Sequence, residues 1–93
     1  MTEAEAAAWA AAIQDRALRL YNRTLREPFT GFCEAVFDDV RHRRYIYIGY
    51  HYESRVVAKY NIGKNDRLTR AKPTKHDDKL LQRYRSGVFY PIR

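Results

Sequence analysis

The first quarter of the chain repeats apolar residues at the spacing of one helix face. Thr2 and Glu5 have the spacing of a capping box, and neither Gly nor Pro interrupts the Ala-rich segment before Pro28. The pattern predicts a helix from Glu3 to about Arg26. Its core-facing residues are Ala6, Trp9, Ala10, Ile13, Ala17, Leu20 and Tyr21. Another side of the same helix carries Arg16, Arg19, Arg23 and Arg26.

Residues 29 to 40 fit two patterns. Their apolar residues have helical spacing, but the segment from Cys33 to Asp38 also alternates as a strand would. We favour a short helix here, with a strand as the alternative. The apolar residues concerned are Phe29, Phe32, Cys33, Val36, Phe37 and Val40.

Residues 43 to 62 are rich in β-branched and aromatic residues and predict an antiparallel hairpin. Pairing residue 51 with residue 55 places Ile48 opposite Ala58 and collects apolar side chains on one face. A shift by one residue would bury Lys59, which is unfavourable. The apolar face then carries Ile46, Ile48, Tyr50, Val56, Ala58 and Tyr60. The other face carries Arg43, Tyr45, Tyr47, Arg55, Val57, Lys59 and Asn61.

The rest of the chain predicts a polar connection and a final helix. Residues 63 to 73 are basic and contain few apolar residues, which is typical of a loop. Thr74 followed by Asp77 marks a helix start, and the helix would span Lys75–Arg85. Residues 88 to 92 are apolar enough to form an edge strand.

These elements together predict a single small basic α+β domain over residues 1 to 93. It has a long N-terminal helix, a small antiparallel β-hairpin or sheet, and a C-terminal helix packed on the apolar side of that sheet. The length suits one domain. With 45% hydrophobic residues, the chain has enough apolar material for a core, so disorder is not expected.

The net charge of +7 is unevenly distributed along the chain. Residues 1 to 40 contain four Lys or Arg and seven acidic residues. Residues 41 to 75 contain ten Lys or Arg and only two acidic residues. Five of the eight tyrosines also lie in the second segment. Cations with interleaved rings are typical of proteins that bind single-stranded nucleic acid. We expect this segment to contact nucleic acid, either RNA or DNA, or an acidic protein surface.

The hairpin register selects which rings and cations of this segment are offered to a partner. Tyr50 and Tyr60 fall on the apolar face and are expected in the core. Tyr45 and Tyr47 fall on the polar face. Packing in the core or against a partner is favoured for them, and they are the only rings left to stack on bases. The predicted nucleic-acid-binding residues are Arg41, Arg43, Arg44, Tyr45, Tyr47, Arg55, Lys59, Lys64, Arg67, Arg70 and Lys72.

The sequence predicts no catalytic residues, no metal site and no cofactor. Its three histidines, His42, His51 and His76, lack the spacing of zinc ligands. A metal-independent RNase stays as an alternative, since His, Tyr, Arg and Lys can activate a 2′-hydroxyl and neutralise phosphate. In size, charge and helix-plus-sheet content the chain resembles small ribosome-dependent toxin RNases of the RelE type. Those proteins begin with a strand and share no residue motif with this chain, so no family is assigned.

The leading prediction is a non-catalytic nucleic-acid-binding module in the cytoplasm. The single cysteine, Cys33, indicates a reducing compartment, and neither a signal peptide nor a membrane-spanning apolar run is found in the sequence. The alternative is a small inhibitor or adaptor, for example a phage-type inhibitor such as an anti-CRISPR protein. It would dock by the same basic surface on an acidic or nucleic-acid-handling protein complex. The sequence leaves the oligomeric state open.

Overall fold

The described part of the chain has the α+β fold that the sequence predicts, with two helices and four strands. The structure is a computed structural model and describes residues 2–51, 53 and 55–85. The predicted edge strand at residues 88 to 92 lies outside the described residues. In chain order the elements are α1 (Glu3–Asn22), β1 (Phe32–Asp38), β2 (Arg43–Gly49), β3 (Ala58–Ile62), β4 (Leu68–Ala71) and α2 (Lys75–Arg85).

The four strands form one antiparallel sheet in the order β1-β2-β3-β4. β2 and β3 pair in the predicted register, with Ile48 opposite Ala58 and Ile46 opposite Tyr60. Each strand pairs with its neighbour in sequence, so the connections between strands stay short. Arg43 and Ile62 therefore lie at one end of the sheet, and Gly49 lies at the other.

The short helix predicted within residues 29 to 40 is wrong, because this segment contains strand β1. Its residues carry both a helical and a strand period. In the strand, Cys33 and Ala35 belong to the core on one side of the sheet, and Phe32 and Val36 to the core on the other. Pairing with β2 decides between the two periods, since it satisfies backbone N–H and C=O groups along one edge of β2.

The loop predicted over residues 63 to 73 is wrong in part, because it contains strand β4. A 3-10 turn, Lys64–Asp66, reverses the chain before β4, and the N–H of Gly63 donates to the carbonyl of Arg67 at 2.8 Å. Asn65 and Asp66 have positive φ angles of 57° and 58°, which Asn and Asp tolerate better than most residues. The four residues of β4 are exposed or half-buried, so their sequence lacks strong apolar alternation.

Helix α1 packs on one face of the sheet through its predicted apolar side. The capping box of Thr2 and Glu5 is present, but the helix ends at Asn22 rather than Arg26. The side chain of Asn22 accepts a hydrogen bond from the N–H of Phe29 at 2.9 Å, which stabilises the turn after the helix. The buried residues between α1 and the sheet are Ala10, Ile13, Ala17, Tyr21, Ala35, Ile46, Ile48, Ala58, Tyr60 and Ile62. Arg16, Arg19, Arg23 and Arg26 are exposed.

Helix α2 spans the predicted residues but covers the opposite face of the sheet. Its predicted place on the apolar side is wrong, because α1 occupies that side. Leu80 and Leu81 instead pack in a second core with Phe32, Val36, Tyr45, Tyr47 and Val56. The sheet is therefore enclosed between two helices, and the face predicted to meet a partner is largely interior.

The connection from β2 to β3 also departs from the prediction. Val56 packs on the α2 side and Val57 on the α1 side, the reverse of their predicted faces. Val57 and Ala58 both contribute to the α1-side core, so the alternation of sides breaks between these neighbours. Tyr50, predicted in the core, is 36% exposed at the end of β2.

Candidate nucleic-acid interface

Two adjoining cavities open at the end of the sheet where β2 begins and β3 ends. They have volumes of about 400 and 520 Å³, and together we call them the basic groove. The smaller is lined by His42, Arg43, Arg44, Tyr45, Asn61, Ile62, Gly63 and Lys64. The larger is lined by Arg41, Arg43, Tyr45, Lys59 and Asn61. Three residues line both cavities, so the two adjoin, and five of the lining residues are cationic.

The turn between β1 and β2 presents two of these cations. Asp38, at the end of β1, accepts hydrogen bonds from the N–H groups of Val40 and Arg41, both at 3.1 Å. His42 completes the reversal with a φ angle of 53°. A carboxylate that holds two backbone N–H groups in this way stabilises a tight turn. Arg41 and Arg43 are exposed on either side of it.

A second hydrogen bond network ties this turn to helix α2. The second carboxylate oxygen of Asp38 lies 2.7 Å from Nε2 of His76 and 3.5 Å from the hydroxyl of Tyr45. Burial raises the pKa of Asp38, but the hydrogen bonds from His76 and the turn outweigh it, so the pKa lies below its ordinary value. Burial and the nearby Asp38 charge raise the pKa of Tyr45. Asp38 therefore links the β1–β2 turn to Tyr45 in β2 and to His76 in α2.

Lys59 contributes a buried ammonium group to the floor of the groove. Its Nζ lies 2.9 Å from Oδ2 of Asp77 and 4.8 Å from the ring centre of Tyr45. Asp77 also accepts from the Tyr47 hydroxyl at 2.7 Å and from the N–H of Thr74 at 2.8 Å. Burial raises the pKa of Asp77, but these donors lower it by more, so it stays below the ordinary value. The ion pair holds Lys59 in one position.

The stability of the protein is expected to fall with acid below about pH 4, since Asp38 and Asp77 both have lowered pKa values in the folded state. Unfolded, each carboxyl group has a pKa near its ordinary value of 3.8. Their contribution to the free energy of unfolding is fully present above that value and is lost as the pH falls through the folded-state pKa. Urea unfolding between about pH 7 and pH 2 measures it. In the Asp38→Asn variant the decline should be shallower; an unchanged decline would contradict this account.

The structure brings together part of the predicted site. Arg41, Arg43, Arg44 and Lys64 all line the basic groove. Tyr45 lines it too, but Tyr45 is 2% exposed and Tyr47 is fully buried, so neither ring is open to a base. The prediction that these tyrosines stack on bases is corrected accordingly: α2 covers them, and they stack on each other with ring centres 5.7 Å apart. Lys59 is likewise buried rather than displayed.

Two predicted cations are engaged on the α1 side of the sheet. The guanidinium of Arg44 lies 5.1 Å from the ring centre of Trp9 and 3.7 Å from Asp66, which in turn accepts from the Trp9 indole N–H at 2.8 Å. Arg70 lies over the rings of Tyr21 and Tyr60 at 5.1 and 5.6 Å. These arginines contribute to packing through cation–π contacts.

The remaining predicted cations are spread over the surface. Arg67 is exposed just before β4, at the same end of the sheet as the groove. Arg55 and Lys72 lie at the opposite end by register, and Arg55 is 3.9 Å from Glu53. The eleven predicted residues therefore do not form one surface.

The sequence-based prediction missed Asn61 as a lining residue and the anchoring roles of Asp38, His76 and Asp77. Asn61 follows Lys59 by two positions on the same strand face, which was the available signal. Asp77 is recognisable as the third residue after Thr74, which marks the predicted helix start. No sequence pattern linked Asp38 to His76, because their contact spans 38 positions of the chain.

Comparison with protein families, curated proteins and solved structures finds no match to this chain. Among the described residues, neither helix is long and apolar enough to cross a membrane. Within the same part of the chain, no group of three or more His, Cys, Asp or Glu side chains is placed to hold a metal ion.

Proposed function

We propose that the protein is a nucleic-acid-binding module that contacts phosphates and does no chemistry on its ligand. The observation that carries the proposal is the basic groove. Arg41, Arg43 and Lys64 are exposed around it, and in the described part of the chain no carboxylate lies within ion-pairing distance of them. Unpaired cations around a polar cavity attract an anion, and nucleic acid is the abundant polyanion that such sites bind.

The burial of the rings favours phosphate contact over base recognition. Stacking on a base requires an open ring face, and the faces of Tyr45 and Tyr47 are used within the protein. Contacts to phosphate fix the position of a strand but carry no sequence information. We therefore expect binding with little sequence preference.

The positions of Asp38 and His76 support a non-catalytic role. Nε2 of His76 is engaged by Asp38, and Asp38 is fully buried with four hydrogen-bonding partners. These groups stabilise the turn and the start of α2, and His76 is absent from the lining of the groove. These structural contacts account for the positions of Asp38 and His76, and no catalytic role is needed to explain them.

Salt dependence of binding tests the proposal. If Arg41, Arg43 and Lys64 each contact one phosphate, the affinity for a mixed-sequence single-stranded oligonucleotide should fall about twentyfold between 50 and 200 mM salt. Fluorescence anisotropy with labelled single-stranded DNA and RNA measures the dependence. An affinity that does not change with salt, or no binding at low salt, would reject the proposal.

A small inhibitor or adaptor is the second candidate, and exposed apolar residues beside the groove favour it. Val40, in the turn next to Arg41, is 69% exposed, and Phe37 is 37% exposed. Phosphate contact does not use such residues, whereas protein interfaces do. This candidate would ignore free oligonucleotides and would co-purify with one acidic or nucleic-acid-bearing protein complex.

We place the site of action in a reducing compartment, the cytoplasm. Cys33 is a free thiol whose S–H donates to the carbonyl of Gln14 at 3.4 Å. Burial and the nearby charges of Glu34 and Asp15 raise its pKa to about 12. The thiol is therefore unreactive core material, in keeping with a structural role.

A further inference from the structure

The larger cavity of the basic groove differs from a general cationic surface, because its donors converge from different parts of the sheet. Arg41 and Arg43 come from the β1–β2 turn and the start of β2, and Lys59 and Asn61 come from β3. Two guanidinium groups, one ammonium group and one amide thus line a single polar cavity of about 520 Å³. Guanidinium groups recognise phosphate oxygens with paired hydrogen bonds.

The floor of this cavity is ordered before any ligand arrives. Lys59 is held by Asp77 at 2.9 Å and lies over the ring of Tyr45, which stacks on Tyr47. A lysine on the surface loses side-chain freedom when it binds, whereas this ammonium group is already fixed. Lys59 is therefore a lining residue of the cavity whose ammonium group is already positioned by its ion pair with Asp77.

The nearby carboxylates are bound by internal donors, and Asp77 offsets the charge of Lys59. Both oxygens of Asp77 are occupied, by the Tyr47 hydroxyl on one side and by Lys59 and Thr74 on the other. Both oxygens of Asp38 accept from the turn, His76 and Tyr45. The two carboxylates face internal donors, and within the described residues neither of them pairs with Arg41 or Arg43.

We infer that this cavity binds a phosphate monoester, the phosphorylated end of a nucleic-acid strand. The inference rests on the proposed function and names the ligand group of the same site. A terminal phosphate has three free oxygens and a charge of about −1.5 to −2, whereas a phosphodiester has two free oxygens and a single charge. Four converging donors match the terminal group better. The adjoining cavity, which shares Arg43, Tyr45 and Asn61, leads to the exposed Lys64 and gives the strand a path out.

The test compares ends on one oligonucleotide sequence. Versions with a 5′-phosphate, a 3′-phosphate or hydroxyls at both ends are titrated by anisotropy, with inorganic phosphate as competitor. One phosphorylated end should bind at least about tenfold more tightly than the hydroxyl form, and the two arms identify which end. Inorganic phosphate should reduce that preference.

Matched variants test whether the preference for a phosphorylated end depends on this cavity. Arg43→Gln and Asn61→Ala should abolish it, whereas Arg67→Gln, which removes an exposed cation outside the groove, should retain it. Equal affinity for all three versions of the oligonucleotide would overturn the inference. It would leave the proposed function intact if binding still weakens with salt. A preference that survives in Arg43→Gln and Asn61→Ala would overturn the assignment to this cavity. Failure of every oligonucleotide to bind would overturn both.

Discussion

The Asp77→Ala variant is expected to lose about 3–5 kcal/mol of unfolding free energy. The substitution leaves the ammonium group of Lys59 buried without its counter-charge, and removing one partner of a buried pair is strongly destabilising. The Tyr47 hydroxyl and the N–H of Thr74 also lose their acceptor. Urea unfolding at neutral pH measures the loss. It is a large share of the stability of a domain of this size, about 5–14 kcal/mol.

Asp15→Ala is the matched control for this variant. Asp15 pairs with Arg19 at 2.6 Å, but both side chains are largely exposed, so the loss should be no more than about 1 kcal/mol. The double variant Lys59→Met, Asp77→Ala should be more stable than Asp77→Ala alone, because it no longer buries an unpaired charge. If Asp77→Ala were as stable as Asp15→Ala, or if Lys59→Met gave no recovery, the buried pair would not have the role assigned to it.

The double charge reversal Arg41→Glu, Arg43→Glu is expected to weaken nucleic-acid binding by about a hundredfold or more. Each substitution removes a charge-assisted hydrogen bond to phosphate, worth about 1.5–3 kcal/mol, and adds a repulsive charge. Both side chains are exposed, so the fold should tolerate the change. Arg44 is left unchanged because its contacts with Trp9 and Asp66 support the structure. Anisotropy at fixed low salt measures the loss.

Arg23→Glu, Arg26→Glu provides a control with the same change in net charge. These two arginines are exposed beyond the end of α1, away from the lining of the groove. Their reversal should weaken binding only through the overall charge, by a small factor that salt removes. If both double variants lost affinity equally, the groove would have no special part in binding.

The expected loss of stability and the expected loss of binding both involve the surroundings of Lys59, which belongs to the core and also lines the groove. Its ion pair stabilises α2 against the sheet, and the same ion pair fixes the ammonium group at the floor of the cavity. Substitutions at Lys59 therefore change stability and binding together. Arg43 and Asn61 are the better positions at which to test binding alone, since Arg43 is exposed and Asn61 half-buried.

The sequence supported part of the candidate site. The excess of cations in residues 41 to 75 led to Arg41, Arg43, Arg44 and Lys64, which the structure places around one groove. Composition could not show that Arg55 and Lys72 lie away from this groove, because their distance from the other cations depends on how the strands pair. Nor could it show that Arg70 lies over two tyrosine rings, a contact made by three separate elements.

By itself the sequence determined the features that depend on neighbouring residues. Thr2 caps α1, the N–H and hydroxyl of Thr74 donate to Asp77 at the start of α2, and the hairpin register follows from placing apolar residues on one face. Each of these choices is decided within a few residues or across one strand pair. The prediction of an α+β fold was confirmed on that basis.

Only the tertiary structure decided which helix covers which face of the sheet. Tyr45, Tyr47 and Lys59 have apolar bodies with polar tips, so their face is compatible with water or with burial under a helix. Burial became favourable because α2 brings Leu80 and Leu81 to the rings and Asp77 to the polar tips. Asp77 contacts Lys59 and Tyr47, which precede it in the sequence by 18 and 30 positions. It turned a predicted stacking surface into a core and left the cations at its end to form the groove.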